Sequence, residues 1–135
     1  MNEAEKVLAV VPKAWLGLDE WIVFFTNYRA IVTRFDAWGS AMGWAALIGW
    51  FTDDARRREI MATDPNLLLS RDKHAFEIPF QFVTQVVFKK GLVGATITFH
   101  VKDGRKFVFK MDSRKYFNQA MLDARSALGE KVVVK

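Results

Sequence analysis

The feature that most restricts the fold is an alternation in the last third of the chain. In ATITFHV (95–101) Ala95, Ile97, Phe99 and Val101 occupy every second position, and in KFVFKM (106–111) Phe107, Phe109 and Met111 do the same. Period two is the repeat of a strand with one buried face. All seven positions are odd, and that parity selects the turn between them. A two-residue turn pairs odd with even and sets Phe99 opposite Val108, on a different face from Phe107. A three-residue loop of Lys102, Asp103 and Gly104, its glycine left-handed in a bulge, pairs Phe99 with Phe107 and Ile97 with Phe109.

Similar reasoning places the other strands. KVLAVV (6–11) is β-branched and stopped by Pro12, with 12–18 expected as a loop around Gly17. EWIVFFT (20–26) and RAIVTRF (29–35) form a hairpin around Asn27 and Tyr28, whose loop is expected to exceed two residues because Tyr28 suits a two-residue turn poorly. HAFEIPF (74–80) puts Phe76, Ile78 and Phe80 on one face, with Pro79 suited to an edge, and QFVTQVVFKK (81–90) continues to Gly91. A helix follows Thr52 with Asp53 and Asp54 at its positive end; its apolar edge, Ile60 and Met61, is narrow. Asp64 then Pro65 opens a helix of one or two turns. The last helix starts at Asp112 or Ser113, carries Phe117, Ala120, Met121, Ala124 and Leu128 on one stripe, and stops at Gly129. The tail EKVVVK pairs with a neighbour or frays.

The expectation is a mainly β chain with a C-terminal α-helix: a seven-stranded, mostly antiparallel bent sandwich or open barrel capped by that helix, with a helical insertion over about 37–63 between the third and fourth strands. At 135 residues, 51% hydrophobic and 26% charged, residues 1–135 fit one domain with its own core. The absence of cysteine excludes disulfides, thiolate zinc sites and a cysteine nucleophile. Residues 1–11 hold Glu3 and Glu5 before a brief apolar run, unlike a signal peptide, so a cytoplasmic setting is expected.

VFFTNYRAIV (23–32), HAFEIPFQFVTQVVFKKG (74–91) and DGRKFVFKM (103–111), in that order before a terminal helix, resemble phrases of prokaryotic PH-like and GRAM-like domains of the pleckstrin-homology-like superfamily. The resemblance spans most of the chain and implies a binding scaffold without catalysis. Phosphoinositide-binding members carry several lysines and arginines in the first hairpin. Here PKAWLGLDE (12–20) offers only Lys13, so inositol-phosphate recognition does not carry over.

The functional lead is the stretch 37–51, fifteen residues with no charge and three tryptophans. As a helix it reaches roughly 22 Å, short of the roughly 30 Å hydrocarbon core of a bilayer. Gly39, Gly43 and Gly49 each cost a helix about 1 kcal/mol relative to alanine, so the stretch needs a packing partner. The contact residues are expected to be Trp38, Trp44, Leu47, Ile48, Trp50 and Phe51. Trp38, Trp44 and Trp50 do not share one helical face, which suits contact on several sides by a second copy or another protein. Arg56, Arg57 and Arg58 follow directly, and arginines beside interfacial tryptophans also suit peripheral contact with an anionic membrane. Single-stranded nucleic acid, drawn by the +5 charge, is the alternative class, but the aromatics it would stack on occupy inward positions.

Enzymatic chemistry finds little support. His74 and His100 are far apart and match no metal-ligand spacing, Asp53 and Asp54 do not face each other on a helix, and no nucleophile, phosphate-loop or dinucleotide motif is present. No cofactor and no metal is expected.

Overall fold

The computed structural model describes residues 4–35, 53–92 and 94–135. Its elements are β1 (Val7–Leu16), β2 (Asp19–Thr26), β3 (Arg29–Arg34), α1 (Asp53–Met61), α2 (Pro65–Arg71), β4 (Phe76–Pro79), β5 (Val83–Lys90), β6 (Ala95–Val101), β7 (Lys106–Met111), α3 (Arg114–Leu128) and β8 (Val132–Val134). The strands make one eight-stranded sheet in the order β4-β3-β2-β1-β7-β6-β5-β8. The expected count of seven therefore falls one short. Val132, Val133 and Val134 lie parallel to Val86, Val87 and Phe88, and the Lys135 N–H donates to the Phe88 carbonyl. Three valines cannot signal pairing alone; β5 supplies the template.

β1 runs straight through the loop expected at 12–18. Its register with β2 shifts between Val11 and Ala14, and Lys13 has φ 58°. A bulge absorbs the left-handed residue and spares Pro12 a ladder position that needs an N–H. Beyond the bulge Ala14 faces Trp21 of β2 and Met111 of β7, so β1 joins the two halves of the sheet. Gly17 (φ 67°) followed by Leu18 then makes a two-residue turn of the type with glycine first.

The β2–β3 turn is shorter than expected. Only Asn27 and Tyr28 separate the strands, and neither has positive φ, because the Thr26 hydroxyl accepts from the N–H groups of Tyr28 and Arg29. The β6–β7 hairpin has the register that parity demanded: Phe99 opposite Phe107, Ile97 opposite Phe109, and Gly104 at φ 91°. Ser113 accepts from the Tyr116 N–H, Gly129 (φ 58°) ends α3, and Asp64 caps α2 by accepting from the Asn66 N–H.

Two clusters hold the chain. Inside the curved sheet lie Phe25, Phe88, Phe99, Phe109 and Met111, with Phe117, Ala120 and Ala124 of α3 packed on them. On the outer face Ile22, Phe24 and Ile31 are fully buried with Phe35, Ile60 of α1 and Leu68 of α2. Strands and terminal helix therefore do not complete the core by themselves: α1 and α2 cover the outer face of β2 and β3. The narrow apolar edge of α1 is enough because Ile60 joins Ile22, Phe24 and Ile31 on the outer face of β2 and β3, and WIVFF of β2 is apolar on both faces.

Ile60→Ala is expected to cost about 2–4 kcal/mol in urea unfolding, as at any fully buried aliphatic site; a loss under about 0.5 kcal/mol would exclude α1 from the cooperative unit. Thr33 is also buried, with a hydroxyl that finds no partner among the described residues. Thr33→Val is expected to leave stability unchanged or raise it by about 1 kcal/mol.

Candidate functional site

Of the residues singled out in the sequence, Trp38, Trp44, Leu47, Ile48, Trp50 and Phe51 lie outside the described residues, as does the side chain of Arg56. What the structure defines is the frame around them. The described residues run to Phe35 and resume at Asp53. Arg57 joins the two ends: its Nε lies 2.6 Å from Glu20 Oε2, its Nη2 2.9 Å from Glu20 Oε1, and its guanidinium carbon 4.7 Å from the centre of the Phe35 ring. A forked arginine–carboxylate pair fixes orientation as well as distance. Arg57 therefore pins α1 to β2, while Arg58 is exposed. Glu20 and Phe35 were not legible as its partners, since Glu20 stands 37 residues away.

Register extends this frame across the outer face. Lys89 of β5 lies opposite Thr96 of β6, Thr96 opposite Lys110 of β7, Lys110 opposite Trp15 of β1, and Trp15 opposite Glu20, the partner of Arg57. Directly opposed residues share a face, so these side chains form one row. Among the described residues each ion pair is built on an arginine, and Lys89 and Lys110 have no carboxylate partner. Asp112 lines the same shallow hollow as those two lysines.

A second arginine locks the insertion from the other side. Arg29 of β3 pairs through Nε with Glu5 at 2.9 Å and also binds Glu77 of β4 and Asn66 of α2. The hydrogen bond from Arg29 holds the Glu5 carboxyl below its ordinary value, and the same bond raises Arg29. Four segments meet at this guanidinium, and no spacing rule predicts the meeting.

The remaining candidates are structural. Phe99 and Phe109 are buried and Phe107 stacks on Phe76 at 5.3 Å, so none offers a ring for a nucleic-acid base. His100 lies opposite Lys106 and Gln85, and His74 is exposed. Among the described residues no cluster of His, Cys, Asp and Glu is placed to hold a metal ion, and no helix is long and apolar enough to cross a membrane.

A strongly curved sheet with a C-terminal helix packed inside it is the architecture of PH-like domains. The family model described as "Bacterial PH domain" matches residues 51–122, just over half of the chain, which belongs to this family. Such domains typically act as non-catalytic modules for protein or lipid contacts. A crystal structure of the C-terminal domain of an unknown protein from Leishmania infantum is similar with a TM-score of 0.55, at 12% identity over 92% of this chain and 84% of that one. At that identity the likeness is one of fold. No curated protein matches the chain.

The Arg29 clasp has a pH signature. Because Glu5 is held low in the folded state, its contribution is present above the unfolded glutamate value of roughly 4.3 and is lost as pH falls through the folded value. Urea unfolding at pH 7 and pH 3 is expected to show a smaller acid loss for Glu5→Gln than for the parent; equal losses would remove Glu5 from the linkage.

Proposed function

We propose that the chain is a single PH-like domain, residues 1–135, acting as a non-catalytic interaction module whose contact surface is the uncharged stretch 37–51. A second copy of the chain, or another protein, covers it. The observation that carries this reading is the juxtaposition of the stretch's two ends: Phe35 and α1 are clamped together by Arg57 on Glu20, against the outer face of β2 and β3. The sequence between those two anchors holds fifteen uncharged residues bearing Trp38, Trp44 and Trp50. The geometry supports a partner surface better than catalysis, because the carboxylate of Glu20 beside those anchors is engaged by Arg57 in holding the fold.

A second reading, peripheral contact with an anionic membrane, is favoured by one observation. The row Lys89, Thr96, Lys110 and Trp15 runs up to the Glu20–Arg57 pair, with exposed Arg58 beyond it. Lysines near an anionic surface contribute about 1 kcal/mol each.

Light scattering decides the first reading. The parent is expected to show a mass above one chain that falls to one chain in Trp44→Asp/Ile48→Asp; a monomer before and after overturns it. Co-sedimentation with phosphatidylserine vesicles at low salt tests the second. Lys89→Glu/Lys110→Glu is expected to reduce binding, and no binding by the parent overturns it.

A further inference from the structure

β4, which pairs on one side only among the described residues, borders a groove that the preceding reading does not use. It has a volume of about 500 Å³ and runs between β4 and the β6–β7 turn. That is within the roughly 300–1,000 Å³ of small-molecule sites. Its apolar surface comes from Phe76, Pro79, Phe82, Val101 and Phe107. Phe82 is 49% exposed, an unusual position for a phenylalanine on a short turn, and Phe76 and Phe107 stack against each other at its side. The far wall is fixed by a hydrogen bond from the Lys102 N–H to the Phe82 carbonyl, 2.9 Å long.

Charge at the rim narrows the occupant. Four charged residues line the groove: Glu77, Lys102, Asp103 and Arg105. Glu77 is taken by Arg29, and Asp103 accepts from Arg105 Nε at 2.6 Å and from the Arg105 N–H at 3.0 Å. Lys102 is left as the rim cation without a carboxylate partner among the described residues. The surface is therefore apolar along its length and cationic at one point.

An added peptide strand does not fit this edge. The Phe80 N–H donates to the Tyr28 carbonyl, so by the antiparallel alternation the backbone groups of Ile78 and Phe76 face β3 and those of Glu77 and Pro79 face outward. Pro79 has no N–H to give, leaving a single outward donor, at Glu77, along a four-residue strand.

We propose that this groove binds a small amphiphile, a single apolar chain with one terminal carboxylate, its chain along Phe76, Phe82 and Phe107 and its carboxylate at Lys102. The apolar chain removes exposed aromatic surface from water, and the ammonium of Lys102 fixes which end points outward. The proposal draws on none of the residues of the stretch 37–51.

The test titrates laurate, below its micelle concentration, into the full-length ¹⁵N-labelled chain, with dodecanol as the uncharged comparison. Laurate is expected to shift the amide signals of Phe76, Glu77, Phe82 and Lys102. Phe82→Ala is expected to weaken both ligands by roughly tenfold, as loss of a large apolar contact does. Lys102→Gln is expected to weaken laurate by about threefold and leave dodecanol unchanged, the scale of an exposed ion pair. Phe82 and Lys102 are both exposed, so the variants retain the fold, which the unchanged remainder of the spectrum verifies. Shifts confined to other residues, no saturable binding, or equal affinities for the two ligands with no effect of Lys102→Gln would each overturn the proposal. Trp44→Asp/Ile48→Asp is expected to leave the titration unchanged whatever it does to the particle mass.

Discussion

The structure depends on a contact between rings that are far apart in the sheet. Phe25 stands on β2 and Phe99 on β6, with β1 and β7 between them in the strand order, yet their centroids are 5.7 Å apart. A flat sheet would hold strands three places apart at about 14 Å. The contact exists because the sheet curls until its two halves face each other; β1 pairs with β2 on both sides of the bulge at Pro12 and Lys13 and with β7 only beyond it. Phe109 meets Phe99 edge-on, and Phe88 meets Phe117 of α3 in the same way. The terminal helix is thereby part of the aromatic core that keeps the sheet curved.

Because the inner face is filled from within, the outer face of β2 and β3 is left to find cover of its own. Ile22, Phe24 and Ile31 obtain it from Ile60, Leu68 and Phe35, and two arginines set the angle at which the covering helices lie. Arg57 ties α1 to β2 through Glu20, and Arg29 ties α2 to β3, β4 and Glu5. The Arg57–Glu20 pair is mostly buried, so desolvation offsets much of its attraction, and what the forked geometry supplies is placement. Its consequence is geometric: Phe35 and α1, which flank the stretch 37–51 in sequence, are held together at one place on the domain.

Legibility followed the range of the interaction. The β6–β7 register, the Ser113 and Asp64 caps, the Gly129 stop and the α3 stripe were readable because each is decided by residues within one turn or one hairpin. The run of β1 past Pro12 is not legible, because a bulge that tolerates proline is set by the mismatch between two neighbouring strands, which one strand's sequence does not display. The second cluster could have been anticipated: WIVFF is apolar at odd and even positions alike, the mark of a strand covered on both sides. The partner of Arg57 could not, because no local rule links an arginine to Glu20 across 37 residues.

By itself the sequence determined the strand-rich class, the parity that fixes the last hairpin, the helix that closes the core and the resemblance to PH-like domains, all of which rest on periodicity and turn chemistry written into contiguous residues. Tertiary structure alone decided that the sheet curls through β1, that the tail becomes a parallel eighth strand, that α1 and α2 belong to the fold, and that Phe76, Phe82 and Phe107 line one groove with Lys102 at its rim. The physical reason is that these outcomes depend on which surfaces meet once the chain has closed on itself, and burial and charge pairing are properties of that closure.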